Sequence, residues 1–244
     1  MDQYTIIPIL EGVPITSNRG ALGWSSSTVI QGRGRTILLD TGSYSDRSLF
    51  LSNLANHGFG PDSFDTVVLS HFHYDHMINA EILPAKRLLL SRAEQEYILS
   101  EQFRQAEDNF VPLAHISLLA PRLCPVRDGQ EIAPGIQVLY LPGHTPGSMG
   151  LWIPDQDVIL TGDAVKNLSD FVNHTPPPCF GSRIDALASM HKVSCLASKV
   201  IPGHDRPFHV QGDKTSHFLS KPSPVELTLS NRSDCPPRVI SLGP

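Results

Sequence analysis

Thr66-Val67-Val68-Leu69-Ser70-His71-Phe72-His73-Tyr74-Asp75-His76 is the stretch from which the fold can be read. Its first four residues form a short β-branched run, the pattern of a buried strand. Directly behind that run, three imidazoles and one carboxylate fall within the motif His71-x-His73-x-Asp75-His76. His71 and His73 can point the same way, because side chains of an extended segment repeat with period two. A bend must then bring Asp75 and His76 round to the same space. Imidazole nitrogen and carboxylate oxygen, with no thiolate supplied, are the ligand set for zinc, iron or manganese.

The same arrangement recurs along the chain. Residues 36–39 (TILL) run into Asp40-Thr41-Gly42, and 136–141 (IQVLYL) into Pro142-Gly143-His144. Residues 158–160 run into Thr161-Gly162-Asp163, and 199–201 into Pro202-Gly203-His204. Every one of these apolar runs stops at a turn carrying His or Asp. In open α/β sheets, sites gather beyond the carboxyl ends of the strands, so these ends are expected to share one rim. His71, His73, His76, His144 and His204 with Asp75 and Asp163 are too many for one tetrahedral ion. They suit two divalent ions, with one carboxylate bridging and positions left open for water. Such ions lower the pKa of a bound water from about 15.7 toward roughly 7, which produces hydroxide at neutral pH.

Helices are expected between the strands. Residues 47–57 carry an apolar face and stop at Gly58 and Gly60. Residues 91–108 open on Ser91-Arg92-Ala93-Glu94, a capping-box pattern in which the Ser hydroxyl and the Glu carboxylate both satisfy N–H groups of the first turn. A third helix is expected over 184–197, and a hairpin over 25–40 turning at Gly32-Arg33-Gly34. Residues 1–210 read as one domain. Residues 211–244 read as a polar tail with one strand at 225–229.

Composition sets the outer bounds. A chain of 244 residues buries roughly 70% of its extended surface and needs no staple. The net charge of −5 and the lack of a Lys/Arg stripe disfavour nucleic acid as a partner. No run approaches the ~20 apolar residues of a membrane span, and Met1–Pro14 lacks the basic start of a signal peptide. Cys124, Cys179, Cys195 and Cys235 are far apart, which suits a reducing compartment, so a cytoplasmic location is expected.

The motif set HFHYDH, PGHTPGS at 142–148, LTGDA at 160–164 and IPGH at 201–204, with DTG at 40–42, resembles the metallo-β-lactamase superfamily over about residues 5–210, and within it the glyoxalase-II/lactonase-like branch. That resemblance implies an α/β fold, the αββα four-layer sandwich, with metals at one edge. It implies one ion on His71, His73 and His144, a second on Asp75, His76 and His204, and Asp163 bridging them. Asp40 would orient a ligand rather than bind metal, as outer carboxylates do around metal sites. Asp163 keeps the carboxylate where β-lactamases of the family often have Cys or Ser. Ser70 stands for a commoner Thr. No Tyr follows Tyr140, whereas quorum-quenching lactonases place one after the bridging Asp.

These features lead to a hydrolase with two divalent ions per chain, Zn2+ first and Fe2+ or Mn2+ as alternatives. A metal-bridging hydroxide would attack a lactone, ester or thioester carbonyl of a small-molecule substrate, and Asp75 would return a proton to the leaving group. A phosphodiesterase or nuclease on the same site is the first alternative, and a mononuclear iron persulfide dioxygenase the second. Lys166 and His174 are candidate substrate contacts. Phe103, Phe110 and Leu113 are candidates for a lid, and Phe171 and Phe180 for pocket walls. Oligomeric state stays open, a homodimer included.

Overall fold

In the computed structural model, which describes residues 3–18, 20–210, 216–221, 225–229 and 238–242, the apolar runs pair into two main sheets. The first contains β1 (Thr5–Leu10), β2 (Ser27–Gly32), β3 (Arg35–Leu39), β4 (Thr66–Val68), β5 (Arg87–Ser91) and β6 (Leu123–Val126), side by side in chain order. The first three are antiparallel and β3 to β6 run parallel. The expected hairpin is β2–β3. Its turn is two residues, Arg33 and Gly34, both with positive φ (49° and 69°), which matches the twist of the flanking strands.

The second sheet holds β7 (Glu131–Ala133), β8 (Ile136–Tyr140), β9 (Met149–Ile153), β10 (Val158–Gly162), β11 (Lys199–Pro202), β12 (Phe208–His209) and β13 (His217–Phe218), again in chain order. Only β10 and β11 are parallel neighbours. The sheet thus continues past the boundary expected at residue 210. The strand expected at 225–229 forms, paired antiparallel with Arg238–Leu242.

Period two explains the layering. Ile37 and Leu39 of β3 face Val138, Leu151 and Leu160 of the second sheet in one core between the sheets. Leu38, on the other face, packs with Phe50 and Leu54 of α1 (Arg47–Asn56). Ile159 and Val200 face Met190 and Val193 on the outer side of the second sheet. This is an αββα sandwich. The remaining helices are α2 (Tyr74–Met77), α3 (Arg92–Ile98), α4 (Glu101–Gln105), α5 (Leu113–Leu119), α6 (Leu168–Val172) and α7 (Arg183–Leu196). No described helix is long and apolar enough to cross a membrane. Cys124, Cys179 and Cys195 are free thiols.

The helix expected over 91–108 is two helices. Ser100 starts the second by accepting a hydrogen bond from Phe103 N at 3.2 Å, a local alternative to continuing the first. The capping box is half formed. Ser91 Oγ accepts from Glu94 N at 2.9 Å, but the Glu94 carboxylate does not turn back to Ser91. It is fully buried and accepts from Phe72 N (2.9 Å), Gly147 N (3.1 Å) and Thr145 Oγ1 (2.6 Å). Burial pushes its pKa up, against the pull of the Thr145 and Phe72 hydrogen bonds. Glu94 therefore joins the His71–His76 loop to the loop carrying His144.

Glu94→Ala leaves the buried Phe72 and Gly147 N–H groups without an acceptor, each costing about 1–3 kcal/mol, and removes the bond from the Thr145 hydroxyl as well. A loss of roughly 3 kcal/mol or more is expected in urea unfolding followed by circular dichroism.

Candidate metal centre

The five strand ends do meet. Asp40 follows β3, the His71–His76 loop follows β4, His144 follows β8, Asp163 follows β10 and His204 follows β11. Two glycines let the loops approach. A Cβ on Gly143 would lie 2.3 Å from the Ala186 backbone nitrogen of α7, and one on Gly203 would lie 2.1 Å from Asp163 Oδ1. That accounts for glycine before His144 and before His204.

Three groups of buried ligand atoms form, each with its atoms within 4.8 Å of one another: His71/His73/His144, His71/His76/Asp163 and Asp75/His76/His204. His73 Nδ1 lies 3.0 Å from His144 Nε2. Asp163 divides its carboxylate. Oδ2 sits 3.5 Å from His144 Nε2, while Oδ1 sits 3.2 Å from His76 Nε2 and 3.3 Å from His204 Nε2. Asp75 Oδ2 is 3.3 Å from His204 Nε2.

The residues fit a pair of cations. His71 Nε2, His76 Nε2, His204 Nε2 and Asp163 Oδ1 are all buried without a hydrogen-bond partner. A buried polar atom without a partner is costly, and four converging on one spot need something electropositive among them.

Outer groups fix the rings. Asp40 has φ 56° and is buried. Its carboxylate accepts from Ser70 N (2.7 Å), Ser70 Oγ (2.7 Å) and His76 Nδ1 (2.7 Å). His144 Nδ1 donates to the Pro178 carbonyl at 2.6 Å. His73 Nε2 donates to Asp108 Oδ2 at 3.1 Å. Neither Asp108 nor Pro178 belongs to a motif, and only the fold brings them to the site.

The two clusters differ in charge. Burial holds His71 well below the usual imidazole value and brings His144 down to about 3. Burial also opposes charge on His76 and His204, but the carboxylates around them together outweigh it, Asp163 with Asp40 and Asp75 at His76 and Asp163 with Asp75 at His204, and both are raised. Asp75 and Asp163 are pushed up by burial and pulled down further by those imidazolium partners, Asp75 chiefly by His76 and Asp163 chiefly by His204.

A cleft of about 520 Å³ opens over the cluster. Its lining includes Pro14, Ile15, Tyr74, Phe110 and Phe180, with Phe110 in contact with both Tyr74 and Phe180, and also Lys166, Asn167 and Asp170. Lys166 Nζ is 3.6 Å from Asp163 Oδ2. Phe110 and Phe180 therefore face the cleft as expected. Phe103 instead packs on Tyr97 in the core, Phe171 packs on Phe208, and Leu113 is 68% exposed on the surface. His174 is also elsewhere. It lies beyond the end of α6 with φ 50° and borders another cavity with Met190, His191 and Cys195.

Residues 22–204 match the model of the metallo-beta-lactamase superfamily, and the chain belongs to that superfamily. An N-acyl homoserine lactonase, AiiA of Bacillus thuringiensis subsp. kurstaki, is 28% identical over 155 residues, 61% of this chain and 58% of the relative's own length. Metallo-beta-lactamase domain-containing protein 1 of Xenopus laevis is 29% identical over 191 residues, 76% of this chain and 72% of that protein. AidC, a dizinc quorum-quenching lactonase solved in complex with a product, shares the fold with a TM-score of 0.63 at 17% identity, over 82% of this chain and 80% of its own.

The raised His76 and His204 bind protons more tightly folded than unfolded, so without metal their contribution to stability is complete below about pH 6.5 and is lost as pH rises through the folded values. The depressed Asp75 and Asp163 contribute above about pH 3.8 and lose that contribution as pH falls. Metal-free protein is therefore expected to have its highest Tm between these limits and to lose Tm on the alkaline side. Zinc-loaded protein keeps its alkaline Tm, and loading at neutral pH releases protons, measurable by calorimetry in buffers of different ionisation enthalpy.

Proposed function

We propose that this chain is a dinuclear metal-dependent hydrolase of a lactone, ester or thioester carbonyl. His71, His73 and His144 hold one ion, Asp75, His76 and His204 the other, and Asp163 bridges them. The observation that carries this reading is the division of the Asp163 carboxylate, one oxygen toward each imidazole cluster. The donor set of nitrogen and oxygen, without thiolate, suits Zn2+. When bound, a pair of such ions supplies a nucleophile from water at neutral pH and polarises the scissile carbonyl.

The chain's own residues do the rest. Asp75 lines the cleft, where its carboxylate could take the proton released by the attacking water and return it to the leaving oxygen or sulfur. Lys166 offers an ammonium to a carboxylate or developing oxyanion on the substrate. Tyr74, Phe110 and Phe180 shield the cleft from water and hold an apolar acyl group. The relatives named as lactonases favour a carbonyl substrate. Lys166 is the one Lys or Arg among the described residues that line the cleft, which speaks against a nucleic-acid track.

The test is turnover on a panel of acyl-substituted lactones, S-lactoylglutathione, nitrocefin and bis-p-nitrophenyl phosphate. Hydrolysis confined to the carbonyl compounds is expected. Turnover of the phosphodiester alone, or one iron per chain with oxygen uptake on glutathione persulfide, would sink the proposal.

His73→Ala and Asp163→Ala are each expected to abolish turnover and to lose at least one zinc per chain by elemental analysis. Lys166→Met is expected to raise KM about tenfold for substrates bearing a free carboxylate and to leave neutral ones nearly unchanged, since a charge-assisted hydrogen bond contributes about 1.5–3 kcal/mol.

A further inference from the structure

Asp108 belongs to neither ligand cluster, yet its side chain is fully buried and its two oxygens reach two different parts of the cleft. Oδ2 accepts from His73 Nε2 at 3.1 Å and from Tyr97 Oη at 3.1 Å. Oδ1 accepts from the Phe110 backbone N at 3.2 Å. The Phe110 carbonyl in turn accepts from Tyr74 N at 2.9 Å. The Phe110 ring lies 5.5 Å from the His73 ring and 5.7 Å from the Phe180 ring, and it stacks on Tyr74 with an interplanar angle of 9°.

We infer that Asp108 is a positioning residue that holds His73 and the Phe110 wall as one unit, so that cation occupancy of the His71/His73/His144 cluster and the order of the wall are coupled. The inference rests on the proposed metal site only in that this cluster takes a cation. His73 turns Nε2 to Asp108 Oδ2, which leaves Nδ1, 3.0 Å from His144 Nε2, directed at the cluster. The ring cannot turn without breaking its bond to Oδ2, and the carboxylate cannot shift without releasing the Phe110 N–H from Oδ1.

The wall needs such an anchor. α4 ends at Gln105, and Glu107 sits in the left-handed region with φ 51°, a conformation non-glycine residues seldom adopt. Phe110 itself is 36% exposed, so packing alone fixes it weakly. A cation that holds His73 therefore also holds Asp108, and through it the Phe110 backbone. The coupling is reciprocal, so a wall ordered by substrate would tighten the cation in the same proportion.

Asp108→Asn separates the two links, because an amide offers one acceptor oxygen and one donor nitrogen where two N–H groups now point. Zinc affinity by chelator competition is expected to fall about 10–100-fold. Zinc loading is expected to slow hydrogen exchange of the Phe110 amide in the native protein and to have no such effect in Asp108→Asn. Asp108→Ser, too short to span both donors, carries the same expectation if the Asn variant fails to fold. Tyr97→Phe keeps both links and is expected to retain the zinc-induced protection, which a merely structural role for the buried Tyr97/Asp108 pair does not predict. Native zinc affinity in Asp108→Asn, or zinc-induced protection of Phe110 that survives there, would overturn the inference while leaving the metal site standing. Native protein that binds no zinc would overturn both.

Discussion

Asp163 turns one carboxylate oxygen to His144 and the other to His76 and His204, and much of the molecule can be understood as holding it in that position. A carboxylate buried among imidazoles is tolerable only if positive charge faces both its oxygens. In the metal-free protein, protons on His76 and His204 supply that charge on one side and Lys166 on the other. The parallel pair β10 and β11 sets Asp163 beside His204, and Gly203 has no Cβ to collide with the carboxylate. The position is therefore fixed by backbone geometry first and by charge second.

The rest of the centre is a set of buried carboxylates that each serve two loops. Asp40 holds Ser70 and His76. Glu94 holds Phe72, Thr145 and Gly147. Asp108 holds His73 and Phe110. Loops of this kind lie beyond the ends of the strands, where the sheet's own hydrogen bonds stop, and Phe72 anchors one of them in the core. Buried hydrogen-bond networks give them one arrangement, because any other leaves donors unpaired in a low-dielectric interior. The lining of the cleft comes from the same loops: Tyr74 follows His73, Phe110 follows Asp108, and Lys166 follows the turn after β10.

Much of this was legible in the residues. Strands rich in β-branched side chains, each stopped by Gly or Pro before His or Asp, locate both sheets and the shared rim, because a period-two apolar pattern and a turn residue are local signals. The seven proposed ligands were legible because each lies within a few residues of a strand end, Asp75 and His76 in the short helix that follows the His71–His73 turn. Ser91-x-x-Glu94 matches a capping box locally, and only the approach of Gly147 gives the Glu94 carboxylate a better partner. That box marks the start of a helix but not its end, and the Ser100 hydroxyl starts a new helix within residues 91–108. His174 is near Asp163 in sequence, but α6 lies between them and carries the chain to another cavity.

Local sequence thus determined the strands, the turns and the identity of the metal-type side chains, because backbone periodicity and turn chemistry act over a few residues. Tertiary structure alone decided which side chains share a charge. Asp108 lies 35 residues from His73 and the Pro178 carbonyl lies 34 from His144, and no spacing rule connects such pairs. Their partnership comes from the packing of two sheets that bring distant loops to one edge. There the cost of burying an unpaired polar atom selects the one arrangement in which each has a partner or a cation to face.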